Sequence, residues 1–229
     1  MAEEKKPEEK KAEEKKPEKK KLEAVREEDS LLYSVASGIS RVYFHTLMPV
    51  RYHNLERLNM DPPYLLIANH QHALDPFPMG VAVRGHQVVA LGKKELGKNK
   101  LAANLLTRMN CILVDRHHMD MEAMRACMKA IRMKKVLLIF PEGTRHHEGQ
   151  MEHIENGTAL IALRCRCPII PVYFDRKLSL FRVTNLYVGE PIPTEDLVAK
   201  GINTETCEEM NERFRETFRE MIRRYGHFD

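Results

Sequence analysis

The sequence predicts an α/β fold with a mostly parallel central sheet, flanked by helices and preceded by an N-terminal amphipathic helical segment. Two observations predict it. Short apolar runs of strand length alternate along the chain with segments of helical length and period, which is the pattern of a layered, buried sheet. The 229 residues are 43% apolar, which is enough for one sizeable core.

The first 29 residues differ in composition from the rest. The decapeptide AEEKKPEEKK is followed by AEEKKPEKKK, and the segment has almost no apolar side chains. Such a run cannot offset the entropy of ordering, so residues 1–29 are predicted to be a disordered charged tail or a fluctuating helix broken at Pro7 and Pro17. Its nearly balanced charge predicts no nucleic-acid partner.

Cysteine usage indicates a reducing compartment. The five cysteines are an odd number without a CxxC pair, which argues against a disulfide scaffold. Because no apolar stretch follows Met1, no secretory signal is expected, and the sequence predicts an intracellular protein.

Residues 31–50 have the spacing of an amphipathic helix. Apolar side chains recur there at three- and four-residue steps: Leu32, Val35, Ala36, Ile39, Val42, Tyr43 and Leu47. The segment would just reach across a bilayer, but Arg41 near its centre costs about 2.5 to 3.5 kcal/mol on insertion. The pattern leaves two alternatives, a helix packed on the body of the protein and a helix lying in a membrane interface.

Residues 61–229 are predicted to form the α/β domain. Six segments have the composition of strands: 64–69, 87–91, 111–115, 136–140, 168–174 and 182–189. Five segments have helical length and period: 76–84, 99–109, 118–133, 155–165 and 204–225. The last of these carries an apolar stripe, which predicts a helix packed on the core.

Polar clusters follow three of the predicted strands. They read NHQHALD after 64–69, DR after 111–114 and PEGTR after 136–140. Ligands of such sheets gather beyond the carboxyl ends of the strands, so a parallel strand order would bring the three clusters to one site.

The first cluster contains a possible metal motif and a possible acid/base pair. The HxH pattern of hydrolytic metal sites continues with an aspartate and a histidine at positions where this chain has Leu74 and Pro76, so no metal is predicted. A neutral histidine such as His70 can take a proton from a hydroxyl, and a carboxylate such as Asp75 can orient it. Pro76 disfavours helical geometry at Asp75, which suggests a turn in which the two side chains meet. From spacing alone, a helix cap at Asp75 is an equal alternative.

No nucleophile motif accompanies this pair, since the chain has no GxSxG. A histidine–aspartate pair without a protein nucleophile suits direct transfer to a substrate hydroxyl. The FPEGTR segment offers the complementary anion site, because Gly143 and Thr144 let backbone N–H groups approach an anion and Arg145 adds a bidentate donor. Lys94 and Arg116 would make the pocket more positive.

These residues resemble the glycerophosphate acyltransferase family, specifically its 1-acyl-sn-glycerol-3-phosphate acyltransferase branch. The family's blocks occur in order: NHxxxxD at 69–75, a second block with Lys94, Glu95, Leu96, Asp115 and Arg116, FPEGTR at 140–145, and an apolar run between prolines at 168–174. The similarity in order and spacing covers residues 55 to 190.

The resemblance implies transfer of a fatty acyl group from acyl-CoA or acyl carrier protein to the free hydroxyl of lysophosphatidic acid, giving phosphatidic acid without a cofactor. It implies His70 as general base with Asp75 as its orienter. It also implies a phosphate and acceptor site, made by Glu142, Gly143, Thr144 and Arg145 with Lys94 and Arg116. For residues 30–60 it favours a membrane-docking helical segment, and hence a peripheral protein on the cytoplasmic face of the cell membrane.

Three departures from the family pattern stand in the chain. His72 replaces a common serine, Asn110 replaces a glycine before the second block's CILVDR, and Glu155 with Asn156 stands where lysines are common. The last departure makes a less charged head group an alternative, that is, the same chemistry on another lysolipid. A lipid- or phosphate-binding protein without turnover is a further alternative, against which the intact reacting groups speak.

Overall fold

The computed structural model describes residues 31–83, 86–93, 96, 99–114, 121–143 and 151–226. The predicted tail, residues 1–29, lies outside these ranges. The helices of the described part are α1 (Leu31–Thr46), α2 (Pro76–Ala82), α3 (Lys100–Arg108), α4 (Met121–Arg132), α5 (Asn156–Cys165), α6 (Glu195–Lys200) and α7 (Thr204–Tyr225). The strands are β1 (Val50–His53), β2 (Tyr64–Ala68), β3 (Val88–Lys93), β4 (Cys111–Val114), β5 (Val136–Ile139), β6 (Ile169–Phe174) and β7 (Thr184–Val188).

These seven strands form one sheet in the order β1-β7-β6-β2-β5-β3-β4. The five strands from β6 to β4 in this order are all parallel to one another. At the other end of the sheet, β7 runs antiparallel to β6 and pairs in parallel with β1. The predicted α/β class with a mostly parallel sheet is therefore confirmed. The carboxyl ends of β2, β3, β4, β5 and β6 lie along one edge, which we call the active-site edge.

Helices cover both faces of the sheet, so that the central strands are buried throughout. Leu65 and Ile67 of β2 point into one apolar cluster with α4, α5 and α7. The alternate residues Tyr64 and Leu66 point into a second cluster, to which α1 contributes Phe44 and α2 contributes Met79. Strands covered on both sides read as continuous apolar runs, which is why these segments could be recognised from sequence.

The structure differs from the prediction between residues 47 and 60. The N-terminal helix ends at Thr46, and residues 50–53 form β1, paired in register with β7 from Val50 against Thr184 to His53 against Tyr187. A 3-10 helix, Leu55–Leu58, follows. Residues 50–58 thus belong to a strand of the sheet and a short 3-10 helix beside it, whereas residues 30–60 were predicted as one amphipathic helical segment. A four-residue strand is too short to show an alternating pattern, and its partner lies more than 130 residues away.

The described helices include none that is both long and apolar enough to cross a membrane.

Candidate active site

The turn that carries His70 and Asp75 follows β2 directly and is pinned to the end of β6. Phe174 N donates to Asn69 Oδ1 at 2.8 Å, and Asn69 Nδ2 donates back to Phe174 O at 3.0 Å. Gln71 Nε2 donates to the same carbonyl at 3.1 Å. Because both amide side chains are buried, these bonds extend the β2–β6 pairing into the turn and hold it at the active-site edge.

Asp75 organises the turn through a single carboxylate oxygen. Its Oδ2 accepts from the backbone N–H groups of Gln71 at 2.8 Å and His72 at 2.7 Å. The same oxygen lies 3.0 Å from Nδ1 of His70. With only 1% of its side chain exposed, Asp75 is a buried carboxylate that the backbone of its own turn stabilises.

The alternative of Asp75 as a helix cap is not what the structure shows. Asp75 precedes α2, but its side chain makes no bond to the first turn of that helix. The usual donors to a helix cap are not available, because Pro78 at the third helical position has no N–H and Phe77 N donates to Leu74 O at 3.0 Å, so the carboxylate is free to face its own turn. One expectation was wrong: Asp75 has helical dihedral angles, φ −53° and ψ −32°, although a proline follows it. The two groups meet because residues 72–75 close a tight turn, in which Asp75 N donates to His72 O.

His70 is held on three sides. Its ring stacks on Phe140 with 4.2 Å between centroids, its Nδ1 faces Asp75, and its backbone N–H donates to Glu142 Oε2 at 2.9 Å. A carboxylate partner assigns the proton to Nδ1 in the neutral ring, which leaves Nε2 as the basic nitrogen. Since 16% of the side chain is exposed, the ring is partly accessible to a ligand.

Glu142 connects the loops of the site. It is 1% exposed, and while Oε2 accepts from His70 N, Oε1 accepts from Met151 N at 2.9 Å. The sequence placed Glu142 in the phosphate and acceptor site. In the structure each oxygen accepts a backbone N–H, so the carboxylate joins the end of β5 to the His70 turn and to the segment that leads into α5.

Gly143 is the described residue of the FPEGTR segment that needs to be glycine. Its φ is +66°, and a Cβ at this position would lie 2.5 Å from Cγ of Glu155. The Glu155 side chain therefore packs directly over this turn, and Glu155 N donates to Pro141 O at 2.9 Å. The acidic residue that departs from the family pattern is thus a neighbour of the predicted anion site.

Four predicted site residues, Lys94, Arg116, Thr144 and Arg145, lie outside the described residues. Their assignment to the phosphate and acceptor site stays a prediction.

Sequence reasoning gave no role to three residues that shape the site: Asn69, Gln71 and Phe140. The only available signal for them was their membership in the NHxxxxD and FPEGTR motifs. A second departure also has a physical explanation, because Asn110, which replaces a glycine, has φ +57°. Asparagine tolerates this left-handed conformation better than other side chains.

His72 accepts a hydrogen bond from Leu74 N at its Nδ1, 3.2 Å away, and so takes part in the turn. In the described ranges, no three histidine, cysteine, aspartate or glutamate side chains are grouped as metal ligands would be.

Fold and site together define an α/β protein with a buried carboxylate–imidazole pair at the carboxyl edge of its sheet. Such a pair can exchange a proton with a ligand that reaches the ring.

Comparison with known proteins identifies the family. The model of the acyltransferase family matches residues 49–175, more than half of the chain, and the chain belongs to this family. The predicted family is confirmed.

Two curated bacterial relatives, both 1-acyl-sn-glycerol-3-phosphate acyltransferases, are each 25% identical to the chain. The one from Streptococcus pneumoniae aligns over 85% of this chain and 75% of its own length, and the one from Bacillus subtilis over 81% and 96%. A crystal structure of the 1-acyl-sn-glycerophosphate (LPA) acyltransferase PlsC from Thermotoga maritima shares the fold. It has a TM-score of 0.57 and 19% identity, and covers 82% of this chain and 79% of that one.

Proposed function

We propose that this protein transfers a fatty acyl group from an acyl thioester to the free hydroxyl of 1-acylglycerol-3-phosphate, forming phosphatidic acid. The observation that carries the proposal is the 3.0 Å contact between His70 Nδ1 and Asp75 Oδ2 in a chain of the acyltransferase family. The relatives that bear this activity in their names support the choice of acceptor.

In the proposed mechanism, His70 is the general base. Its Nε2 takes the proton from the acceptor hydroxyl while the hydroxyl oxygen attacks the thioester carbonyl carbon. The C–S bond then breaks, and the imidazolium returns the proton to the leaving thiolate. Asp75, buried against Nδ1, stabilises the transient imidazolium and keeps the ring oriented. The oxygen ester and a free thiol are the products, and no acyl-enzyme is required.

The acceptor phosphate is proposed to bind at Gly143, Thr144 and Arg145, with Lys94 and Arg116 adding positive charge. At the described start of this segment Gly143 makes a left-handed turn, φ +66°, and its own N–H donates to Phe140 O at 3.1 Å, so the N–H groups proposed to face the anion are those that follow it. Glu142 supports the site indirectly, because its carboxylate accepts the backbone N–H of His70. The donor is proposed to be acyl-CoA or acyl carrier protein.

The protein is further proposed to act as a peripheral protein on the cytoplasmic face of the membrane, docked through α1. This helix packs on the body through Ser40 and Phe44, whereas Val35, Ile39 and Val42 are half or more exposed. An exposed apolar stripe of this kind suits a bilayer interface. Residues 31–55 contain no aspartate or glutamate, which favours an anionic surface.

A second candidate is the same reaction on a lysolipid whose head group carries less negative charge. Glu155 favours it, because its side chain lies over Gly143 and adds a carboxylate beside the proposed phosphate site. A carboxylate beside the head group weakens the binding of a dianionic monoester more than that of a zwitterionic head group, because like charges repel.

Release of thiol from an acyl thioester, measured with a panel of lysolipid acceptors, tests the proposal. We expect the highest kcat/KM with 1-acylglycerol-3-phosphate and loss of turnover in His70→Ala. His72→Asn is the matched control, since an asparagine oxygen can replace the Nδ1 acceptor of Leu74 N. Turnover with a zwitterionic lysolipid alone would favour the second candidate. Acceptor binding without any turnover would show a non-catalytic protein.

A further inference from the structure

A second exposed apolar element lies at the active-site edge, apart from α1. Between β6 and β7 the chain makes a narrow hairpin in which Ser179 and Arg182 form an antiparallel bridge. Leu180 and Phe181 occupy its tip and are 54% and 77% exposed. We call these two residues the hairpin tip.

The tip is held in place and is not a frayed loop end. Phe181 N donates to Leu47 O at 2.8 Å, and Thr184 N donates to Pro49 O at 2.9 Å, so the hairpin is joined to the chain that leaves α1. Leu178 anchors its base, because it is buried among residues of the second apolar cluster. Phe181 also has φ +58°, a conformation that is unfavourable for an aromatic residue and that here presents the ring to solvent.

The exposed apolar side chains are unevenly distributed over the described part of the chain. In the described part of the chain, large exposed apolar side chains lie either on α1 or in segments of the active-site edge: Leu31, Val35, Ile39 and Val42 on α1, and Leu47, Phe77, Leu96, Leu101, Met121, Leu180, Phe181 and Val183 at the edge. The helices α5, α6 and α7 have none. Such an asymmetric distribution marks an interaction surface.

The charge around the tip identifies the partner. Residues 176–189 include Arg176, Lys177 and Arg182 but no aspartate or glutamate. Residues 31–55 likewise contain no aspartate or glutamate. Asp175, the acidic residue next to this segment, is buried and lies 3.6 Å from Arg176 Nε, so it adds little negative charge to the surface. An apolar tip with an aromatic ring, in a segment whose other charged side chains are cationic, is complementary to a bilayer that contains anionic lipids.

We propose that Leu180 and Phe181 insert into the membrane surface as a second anchor beside α1, so that the bilayer faces the edge of the sheet where His70 lies. The inference rests on the proposed function, because a lipid acceptor requires this edge to meet the membrane. Two anchors at separate points fix the orientation of the protein more firmly than α1 alone, because rotation about the helix axis would withdraw the tip as well as the apolar stripe of α1.

The chain contains no tryptophan, so a single Phe181→Trp substitution gives a specific fluorescent probe of the tip. The vesicles are mixtures of phosphatidylcholine and phosphatidylglycerol, with and without brominated acyl chains. On binding, Trp emission at position 181 should shift to shorter wavelength and be quenched by the brominated lipid. Tyr225→Trp, at the end of α7 on the opposite face of the sheet, is the matched control and should change in neither respect. An unshifted, unquenched spectrum at position 181, while sedimentation shows the protein bound, would overturn the proposal.

Removal of the apolar tip gives the second measurement. Leu180→Ser with Phe181→Asn keeps a residue that tolerates the left-handed conformation at 181, so the fold should be retained. Its partition onto the vesicles should fall about tenfold or more, since burial of one such side chain already contributes that factor. Turnover of a short-chain acceptor dissolved below its micelle concentration should be unchanged. Unchanged partition would refute the anchor. Absence of turnover in the unsubstituted protein would refute the proposed function alone, because the fluorescence measurement does not depend on it.

Discussion

The replacement of Asp75 by asparagine tests the proposed dyad most directly. The asparagine oxygen can take the place of Oδ2 and still accept from the backbone of Gln71 and His72 and from His70 Nδ1. Its amide NH₂ then takes the place of Oδ1, which is buried and has no hydrogen-bond partner in the described part of the chain. A buried unpaired donor costs about 1–3 kcal/mol, and this is the loss of unfolding free energy that we expect.

The loss of activity should be larger than the loss of stability. A neutral amide cannot stabilise the imidazolium as the carboxylate does, so kcat should fall by about 10²–10⁴-fold, the usual contribution of general acid–base catalysis. In the background of His70→Ala, the same replacement should cost little more, because the two side chains act as one unit. Thiol release at saturating donor measures kcat, and urea denaturation measures stability.

Two results would refute this reasoning. If Asp75→Asn kept more than about a tenth of wild-type kcat while folded, the carboxylate would not assist the base. If the losses from Asp75→Asn and His70→Ala multiplied in the double variant, the residues would act independently. A purely structural Asp75 would lower stability in step with activity, and the turnover per folded molecule would then stay near that of the wild type.

Three further predictions concern neighbouring parts of the site and the membrane surface. Glu142→Ala should remove two charge-assisted bonds and so lower the free energy of unfolding by about 3–6 kcal/mol. It should also lower kcat, because His70 would be misplaced, and Glu142→Gln should have a milder effect on both. A rise in the acceptor KM alone would indicate that Glu142 contacts the acceptor instead. Arg145→Lys should raise the acceptor KM and leave the donor KM nearly unchanged, and Arg145→Ala should lower kcat/KM for the acceptor by the equivalent of about 1.5–3 kcal/mol. An equal loss of affinity for the donor would indicate that Arg145 binds the thioester carrier instead. Replacement of Val35, Ile39 and Val42 together by serine should release the protein from vesicles, which sedimentation would show. Circular dichroism should show that the fold is retained, because these side chains are half or more exposed. Undiminished sedimentation with vesicles would mean that α1 is not part of the docking surface.

The helix α1 shows where sequence periodicity stops being sufficient. The predicted apolar side ran through Val35, Ala36, Ile39, Val42 and Tyr43. In the structure that side is divided, since Ala36 and Tyr43 are partly buried while the other three are exposed. The contacts that Ser40 and Phe44 make with the body of the protein determine how the helix is rotated about its axis. The periodicity of the helix itself contains no information about that rotation.

The sequence by itself determined the α/β class and the strands that are buried on both faces, and it predicted that His70 and Asp75 meet in a turn while it left a helix cap at Asp75 as an equal alternative. All of these depend on residues close together in the chain: continuous apolar runs make the strands, and a turn of six residues brings His70 to Asp75. Local propensity and spacing are visible in any window of sequence.

Only the tertiary structure decided which distant groups support the site. The bonds from Asn69 and Gln71 to Phe174 join positions more than 100 residues apart, and the bond from His70 to Glu142 joins positions 72 residues apart. The pairing of β1 with β7 and the attachment of the hairpin tip behind α1 are contacts of the same kind. Contacts between distant segments leave no periodic trace in either segment, because each partner is selected by the packing of the sheet and not by its own neighbours in the chain.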